Sequence, residues 1–283
     1  MAERLRFKLS KSIASRLDAA AVAARGPWGC GGPAKPLQSA SCAGVAQTGT
    51  HVATSTAYFD VDGTLVGTNL IHPTIMYFAN QSSPLKSAAR LGGAMLQAPL
   101  MALAEMRDRR LFNEMLFSHY RGMSEDRISV LSEEVFDVIV RPRIFRGARD
   151  LIAQCKRAGK RVVLITGSLD WTIEYLAEHL DADHFIANRL EMKNGTATGK
   201  LLRPVVAGPE KAVLMVEDAR SVGHDLADCS AYSDSYSDVP MLSVVGHPAC
   251  INPDGRLARL ARAYDWPILD IDSPPRGNME RTE

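Results

Sequence analysis

The stretch Thr56-Ala57-Tyr58-Phe59-Asp60-Val61-Asp62-Gly63-Thr64-Leu65 decides how this chain is read. Its first half joins β-branched and aromatic residues into a short strand signal, and Asp62-Gly63 is a turn signal that ends it. Two carboxylates one residue apart therefore stand where a strand gives way to a turn. There they converge on a cation or divide nucleophilic and acid–base work. An acidic turn that merely caps the next segment is the plain alternative.

Working outward, residues 72–140 show helical patterning. Ser124 predicts an N-cap, with Ile128, Leu131, Val135, Phe136 and Ile139 on one face of the helix behind it. Pro142 breaks that helix, and beyond it the pattern alternates. Helices are predicted near 148–158, 169–180, 210–226 and 254–263. Strands are predicted near 161–166, 184–187, 230–233 and 242–245, with a hairpin at Asn194-Gly195. Strands alternating with helices predict an α/β fold, a parallel sheet covered on both faces.

Composition narrows the function classes. The chain has 283 residues, 46% of them hydrophobic and 23% charged, which excludes collagen-like and wholly disordered chains. Lys and Arg number 33 against 32 Asp and Glu, so no basic stripe argues for nucleic acid. The five cysteines form no C-x-x-C pair and no histidine cluster flanks them, which predicts a reducing cytoplasm rather than a zinc or disulfide framework. The longest apolar stretch, Leu91 to Ala104, is 14 residues long and holds Gln97 and Pro99. A bilayer span needs about 20 residues, so this stretch predicts a buried helix or an interfacial one.

Residues 1–52 differ from the rest. Seven basic residues against Glu3 and Asp18 give them +5, leaving −4 for 53–283 out of a total of +1. Leu5, Leu9, Ile13 and Leu17 recur every four residues, a short basic amphipathic pattern that suits a targeting peptide, a membrane-surface anchor or a solvated tail. No apolar h-region follows, so no secretory signal is read. Residues 26–49, rich in Gly, Pro, Ser and Ala, read as a linker. The boundaries drawn are a poorly ordered basic extension over 1–52, a core over 53–70 plus 147–275, a helical insertion over 71–146 and a tail over 276–283.

Ligands of open parallel sheets bind outside the carboxyl ends of the strands. The second long strand ends in Thr166-Gly167-Ser168, a hydroxyl and backbone N–H groups at an expected helix start, which suits a phosphate oxyanion. Lys211 follows Gly208-Pro209-Glu210, and Asp234 and Asp238 close a later strand in a turn rich in hydroxyls. Each taken alone has a plain reading: a capped helix, a solvated lysine, a polar loop. In order, at successive strand ends, four carboxylates, a hydroxyl and an ammonium form an inventory suited to Mg2+ and phosphate.

That ordered set resembles the haloacid dehalogenase (HAD) superfamily of phosphohydrolases, and within it the phosphoserine-phosphatase-like branch, subfamily IB. The match runs over roughly residues 54–271 and includes Asp60-x-Asp62-Gly-Thr64, Thr166-Gly167-Ser168, Lys211, Ser233-Asp234…Ser237-Asp238 and Asn252-Pro253-Asp254…Trp266-Pro267. The resemblance implies a three-layer αβα Rossmann-like sheet with the 71–146 insertion as a helical cap. It also implies roles. Asp60 attacks phosphorus and becomes an aspartyl phosphate, while Asp62 serves as acid and then base. Thr166, Gly167 and Lys211 hold the phosphoryl oxygens. Mg2+ is held by Asp60 and Asp234, by the backbone carbonyl of Asp62, and with Asp238 close by.

The substrate is less legible. The branch places a Glu seven residues after the second motif aspartate to receive an amino group; here that position is Asn69. From Asn113 to Tyr120 the cap offers no Arg for a carboxylate, the next being Arg121. An unpaired ammonium is costly to bury, so phosphoserine is disfavoured as substrate. The apolar 91–104 stretch, flanked by Lys86, Arg90, Arg107, Arg109 and Arg110, suits a lipid or other small organic phosphate. The expected partners are thus a small-molecule phosphomonoester and, through the N-terminus or the cap, a membrane surface, with no nucleic acid. The expected location is cytoplasmic or membrane-associated, and the oligomeric state is not read. Phosphoserine phosphatase, phosphotransfer to another acceptor and a silent phosphate-binding module are the alternatives. A P-loop is excluded, because Gly199-Lys200 is followed by Leu201.

Overall fold

A computed structural model describes residues 53–79 and 84–271. The expectations for residues 1–52, for the last residues of the core (272–275) and for the 276–283 tail lie outside the described residues. The strands are β1 (Ser55–Phe59), β2 (Lys160–Leu169), β3 (His184–Asn188), β4 (Leu190–Lys193), β5 (Thr196–Leu201), β6 (Ser230–Ser233), β7 (His247–Ile251) and β8 (Ile268–Leu269). Six of them form a parallel sheet in the order β3-β2-β1-β6-β7-β8, and β4 and β5 make a separate antiparallel hairpin. The fold is α/β and Rossmann-like. From β1 the chain builds outward through β2 to β3, then crosses to β6 on the other side of β1. The crevice for a ligand therefore opens at the carboxyl end of β1.

Between β1 and β2 lie α1 (Ile71–Ala79), α2 (Pro84–Arg107), α3 (Arg109–Ser118), α4 (Glu125–Val135), a π-helical turn (Phe136–Val140), a 3-10 turn (Arg141–Arg143) and α5 (Ala148–Arg157). α6 (Asp170–Leu180), α7 (Pro209–Ser221), α8 (Val239–Ser243) and α9 (Gly255–Ala263) follow. β1 is buried along its whole length, as a central strand covered on both faces requires. Phe59 stacks on Tyr232 of β6 with ring centroids 4.3 Å apart, which fixes the two strand ends side by side. α5 buries Ala148, Ile152 and Cys155, a single helical stripe beneath a charged outer face. Tyr77 of α1 reaches Ser132 of α4 at 2.7 Å and Thr172 of α6 at 3.1 Å, tying the insertion to the sheet-covering helices. Asn194 and Gly195 both take positive φ, the backbone that a two-residue hairpin turn demands.

Four local readings are corrected. Residues 242–245 are not a strand: Pro240 stands in the first turn of α8, where its fixed φ starts a helix, and the edge strand is β7. The helix over 210–226 ends at Ser221. Ser124 occupies the N-cap position of α4, yet its side chain makes no capping hydrogen bond. β2 does not stop at Thr166. It runs on to Leu169 through a register shift between Ile165 and Leu169, so Thr166-Gly167-Ser168 is an irregular strand end rather than a helix N-terminus.

Candidate active site

The loop after β1 is shaped by its own backbone. The carbonyl of Val61 accepts from the N–H groups of Thr64, Leu65 and Val66, and Gly63 turns the chain at φ 87°. Asp60 N–H donates to Tyr232 O at 2.9 Å, so Asp60 leaves the sheet beside the end of β6, where Asp234 begins its own loop. Thr64 joins the two. Its hydroxyl accepts from Asp234 N–H at 3.0 Å and lies 2.8 Å from Asp234 Oδ1 and 3.2 Å from Asp60 Oδ2.

α7 carries Lys211 to the same place. Its ammonium donates to Asp60 Oδ1 at 2.7 Å and to Asp238 Oδ2 at 2.8 Å, and all three side chains are buried. Ser233 also donates to Asp238 Oδ2, while Asp238 Oδ1 is buried without a partner. Burial raises the pKa of Asp60 to about 8, with repulsion from Asp238 and Asp234 adding to it and Lys211 pulling against it. Burial likewise raises Asp234, against hydrogen bonding from Thr64. Lys211 is pushed up: the two carboxylates outweigh the burial that opposes them.

Asp62 is held differently. Its Oδ1 accepts from Thr68 at 3.0 Å, and its Oδ2 from Ser168 at 2.9 Å and Thr166 at 3.3 Å. The Thr166 hydroxyl, fully buried, also accepts from Ser168 N–H. It therefore buttresses Asp62, and the cavity wall at this strand end is Gly167.

A cavity of about 230 Å3 gathers Asp60, Asp62, Asn69, Gly167, Lys211, Asp234 and Asp238. Asn69 lines it, but its side-chain oxygen accepts from the N–H groups of Ile71 and His72 and so caps α1. Arg109 and Asn113 of α3 complete the wall and were not picked out as site residues in the sequence. Arg109 donates to Ser237 at 2.9 Å, linking the insertion to the loop after β6. Asn113 is buried over Gly167 and donates to Val206 O, with its own carbonyl oxygen unpartnered. Arg121 faces elsewhere, donating to Thr198 O of the hairpin. No local pattern marks Arg109 or Asn113; only the return of α3 onto the sheet end makes them neighbours of Asp60. Thr68 follows the acidic loop in the chain and Ser168 closes β2, and only the fold brings both hydroxyls onto Asp62.

Among the described residues no three His, Cys, Asp or Glu side chains form a cation cage. The donor set is smaller, Asp60 and Asp234 beside the Asp62-Gly63 peptide. It fits a hard divalent cation all the same: every donor is oxygen, negative charge is crowded, and Asp238 Oδ1 is left without a partner.

The parallel sheet thus carries, at the carboxyl end of its first strand, a cavity in which Lys211 stands among Asp60, Asp62, Asp234 and Asp238, the makings of an α/β enzyme site. The family model of the haloacid dehalogenase-like hydrolases matches residues 57–243, and the chain belongs to that family. It is a phosphoric monoester hydrolase. It is 33% identical over 219 residues to phosphoserine phosphatase SerB1 of Mycobacterium tuberculosis, covering 77% of this chain and 71% of that protein. A Bordetella pertussis protein of unknown function superposes with a TM-score of 0.67 at 24% identity, over 77% of this chain and 99% of that one. Phosphoserine phosphatase in apo form gives a TM-score of 0.56 at 20% identity, over 78% and 94% of the two chains.

Proposed function

We propose that this phosphatase is Mg2+-dependent and works through a phosphorylated Asp60. One observation carries the reading: Lys211 pairs with Asp60 and Asp238 in a cavity whose wall also holds Asp62 and Asp234. A carboxylate and a phosphate dianion repel, so attack needs positive charge already in place. Lys211 supplies one charge, and Mg2+, when bound, supplies the rest. Asp60, Asp234, the Asp62 carbonyl and Asp238 are the residues that would hold the metal.

In the first step a carboxylate oxygen of Asp60 bonds to phosphorus as the bond from phosphorus to the substrate oxygen breaks. Asp62 gives that oxygen its proton. In the second step Asp62 takes a proton from water, the water oxygen attacks phosphorus, and inorganic phosphate leaves with Asp60 restored as carboxylate. The hydroxyls of Thr68, Ser168 and Thr166 hold Asp62 in register for both transfers. Lys211 and the Gly167 backbone orient the phosphoryl oxygens. Thr166 joins them only if its hydroxyl turns away from Asp62.

The substrate we infer is a small organic phosphomonoester whose remote end is neutral or anionic. Beyond the four aspartates and Lys211, the described residues of the cavity wall include one cation, Arg109, and no further carboxylate. A lipid phosphate or a hydroxy-acid phosphate suits such a wall. Phosphoserine is the second reading, favoured by the carboxylate that Arg109 would receive and disfavoured by its ammonium, for which Asn69 offers no charge. The buried free thiols of Cys155, Cys229 and Cys250 support a reducing cytoplasm.

The test is turnover of phosphomonoesters with and without Mg2+. Hydrolysis of an aryl phosphate that needs Mg2+ and is lost in Asp60→Asn is expected. No turnover across a panel would favour a silent phosphate-binding module, phosphate transfer to an added alcohol a phosphotransferase, and preference for phosphoserine the second reading.

A further inference from the structure

We propose that Asp254, which does not line the cavity, is a positioning residue that holds the loop of Asp234 in its metal-binding place and so sets the affinity for Mg2+. The proposal rests on the reading above that Asp234 is a ligand of the ion. The stretch Asn252-Pro253-Asp254 takes no part in the steps at Asp60 and Asp62, and the structure gives it this other task. Asp254 lies where β7 gives way to α9, beside the loop that follows β6. It grips that loop twice. Its backbone N–H donates to Asp234 O at 2.8 Å, and its Oδ2 accepts from Tyr236 N–H at 2.7 Å. Its Oδ1 accepts from the N–H groups of Arg256 and Leu257, both at 2.8 Å, and so caps α9. The two oxygens divide the work: one fixes the helix, the other ties the loop to it.

The ground under Asp254 is firm. Asn252 N–H donates to Leu269 O at 3.0 Å and Cys250 N–H to Pro267 O at 2.8 Å, while Trp266 N–H closes the far end of α9 on Ala261 O at 2.9 Å. Leu257 and Ala261 of α9 are fully buried. Asn252 takes φ 43°, which asparagine tolerates better than most residues, and turns the chain out of β7. Arg256 also lays its guanidinium 4.3 Å from the centre of the Tyr236 ring. Asp234 needs such support, because it shares the cavity with Asp60 and Asp238, like charges that push it outward. Thr64 holds its loop on the cavity side, where the threonine hydroxyl accepts from Asp234 N–H, and Asp254 holds it from outside. Loss of a bond that orients a metal ligand typically lowers metal affinity by about 10–100-fold.

Asp254→Asn separates the two tasks. Asparagine caps a helix as well as aspartate does, but toward Tyr236 it then presents an NH2 group to another N–H, and that bond is lost. Without metal this variant should melt within about 4 °C of the parent. Its dissociation constant for Mg2+, read from the rise in melting temperature of the full chain with Mg2+ alone, is expected to increase about tenfold. Saturating Mg2+ should bring kcat on an aryl phosphate back to within about threefold of the parent, because Asp254 does not touch the reacting atoms. Arg259→Gly, at an exposed position further along α9, is the control for a helix merely weakened. It should melt about 2–4 °C lower with its Mg2+ affinity unmoved. Parent-like Mg2+ affinity in Asp254→Asn would overturn the proposal. So would an equal loss of affinity in Arg259→Gly, or a kcat that saturating Mg2+ does not restore. A parent chain with no response to Mg2+ would contradict the metal reading itself, and this proposal with it.

Discussion

At Gly63 two constraints meet: the backbone turns with φ 87°, and a Cβ built there would overlap the carboxylate of Asp234. Only glycine satisfies both. Gly63→Ala is therefore expected to push Asp234 off its seat beside Asp60 and cut Mg2+-dependent turnover by about 10²-fold, as a displacement of about 1 Å does. Circular dichroism should show the chain still folded. The raised pKa of Asp60 has a consequence for stability. An unfolded aspartate loses its proton near 3.8 and this one near about 8, so between those values the native state binds more protons than the unfolded state. Stability from this group is thus full below the lower value and is lost as pH rises toward the upper one. The metal-free chain should melt lower near about pH 8 than near about pH 6 on this account, and added Mg2+ should stabilise it more at the higher pH. Asp234→Asn removes one of the crowded charges. It should raise the metal-free melting temperature by about 2–4 °C, some 1 kcal/mol for a chain of this size, and abolish the response to Mg2+.

Among the elements, the joint between insertion and sheet layer depends on Tyr77, whose hydroxyl bonds Ser132 and Thr172 in a buried setting. Tyr77→Phe leaves those groups short of a partner and should lower stability by about 1–3 kcal/mol in urea unfolding, with kcat on an aryl phosphate unchanged. The elements that were legible in the sequence are those whose signal is local. β1 announces itself by its aromatic and β-branched run, and the β4–β5 hairpin by Asn194-Gly195, whose positive φ values the turn needs. α8 was illegible because a short apolar run around Met241-Leu242 fits strand and helix alike, and Pro240 alone tips it. Asp60, Asp62 and Asp234 are legible as candidates because each stands just past the end of a strand, whereas Lys211 comes from the first turn of α7. Arg109 and Asn113 are not legible, since they reach the cavity from α3, about 50 residues after β1 in the chain, and only packing brings them back. The Thr166 hydroxyl, expected at phosphate from its place at a strand end, lies 3.3 Å from Asp62 Oδ2 at the irregular end of β2.

For the molecule as a whole, charge is graded along the cavity: four aspartates and Lys211 at the sheet end, Arg109 at the side of the insertion. Arg109→Ala is expected to raise KM for a phosphomonoester bearing a second anionic group by about tenfold, with little change in kcat, because it removes binding remote from phosphorus. A neutral aryl phosphate should be nearly indifferent to the same change. The crossing from β3 to β6 makes this possible, since it sets β1, β6 and the insertion around one opening. The most direct measurement is an acid quench of the enzyme during turnover of a radiolabelled phosphomonoester with Mg2+, followed by peptide mapping. The account predicts label on the peptide containing Asp60 and none in Asp60→Asn, which should also be inactive. Turnover that persists in Asp60→Asn, or label on any other residue, would contradict it.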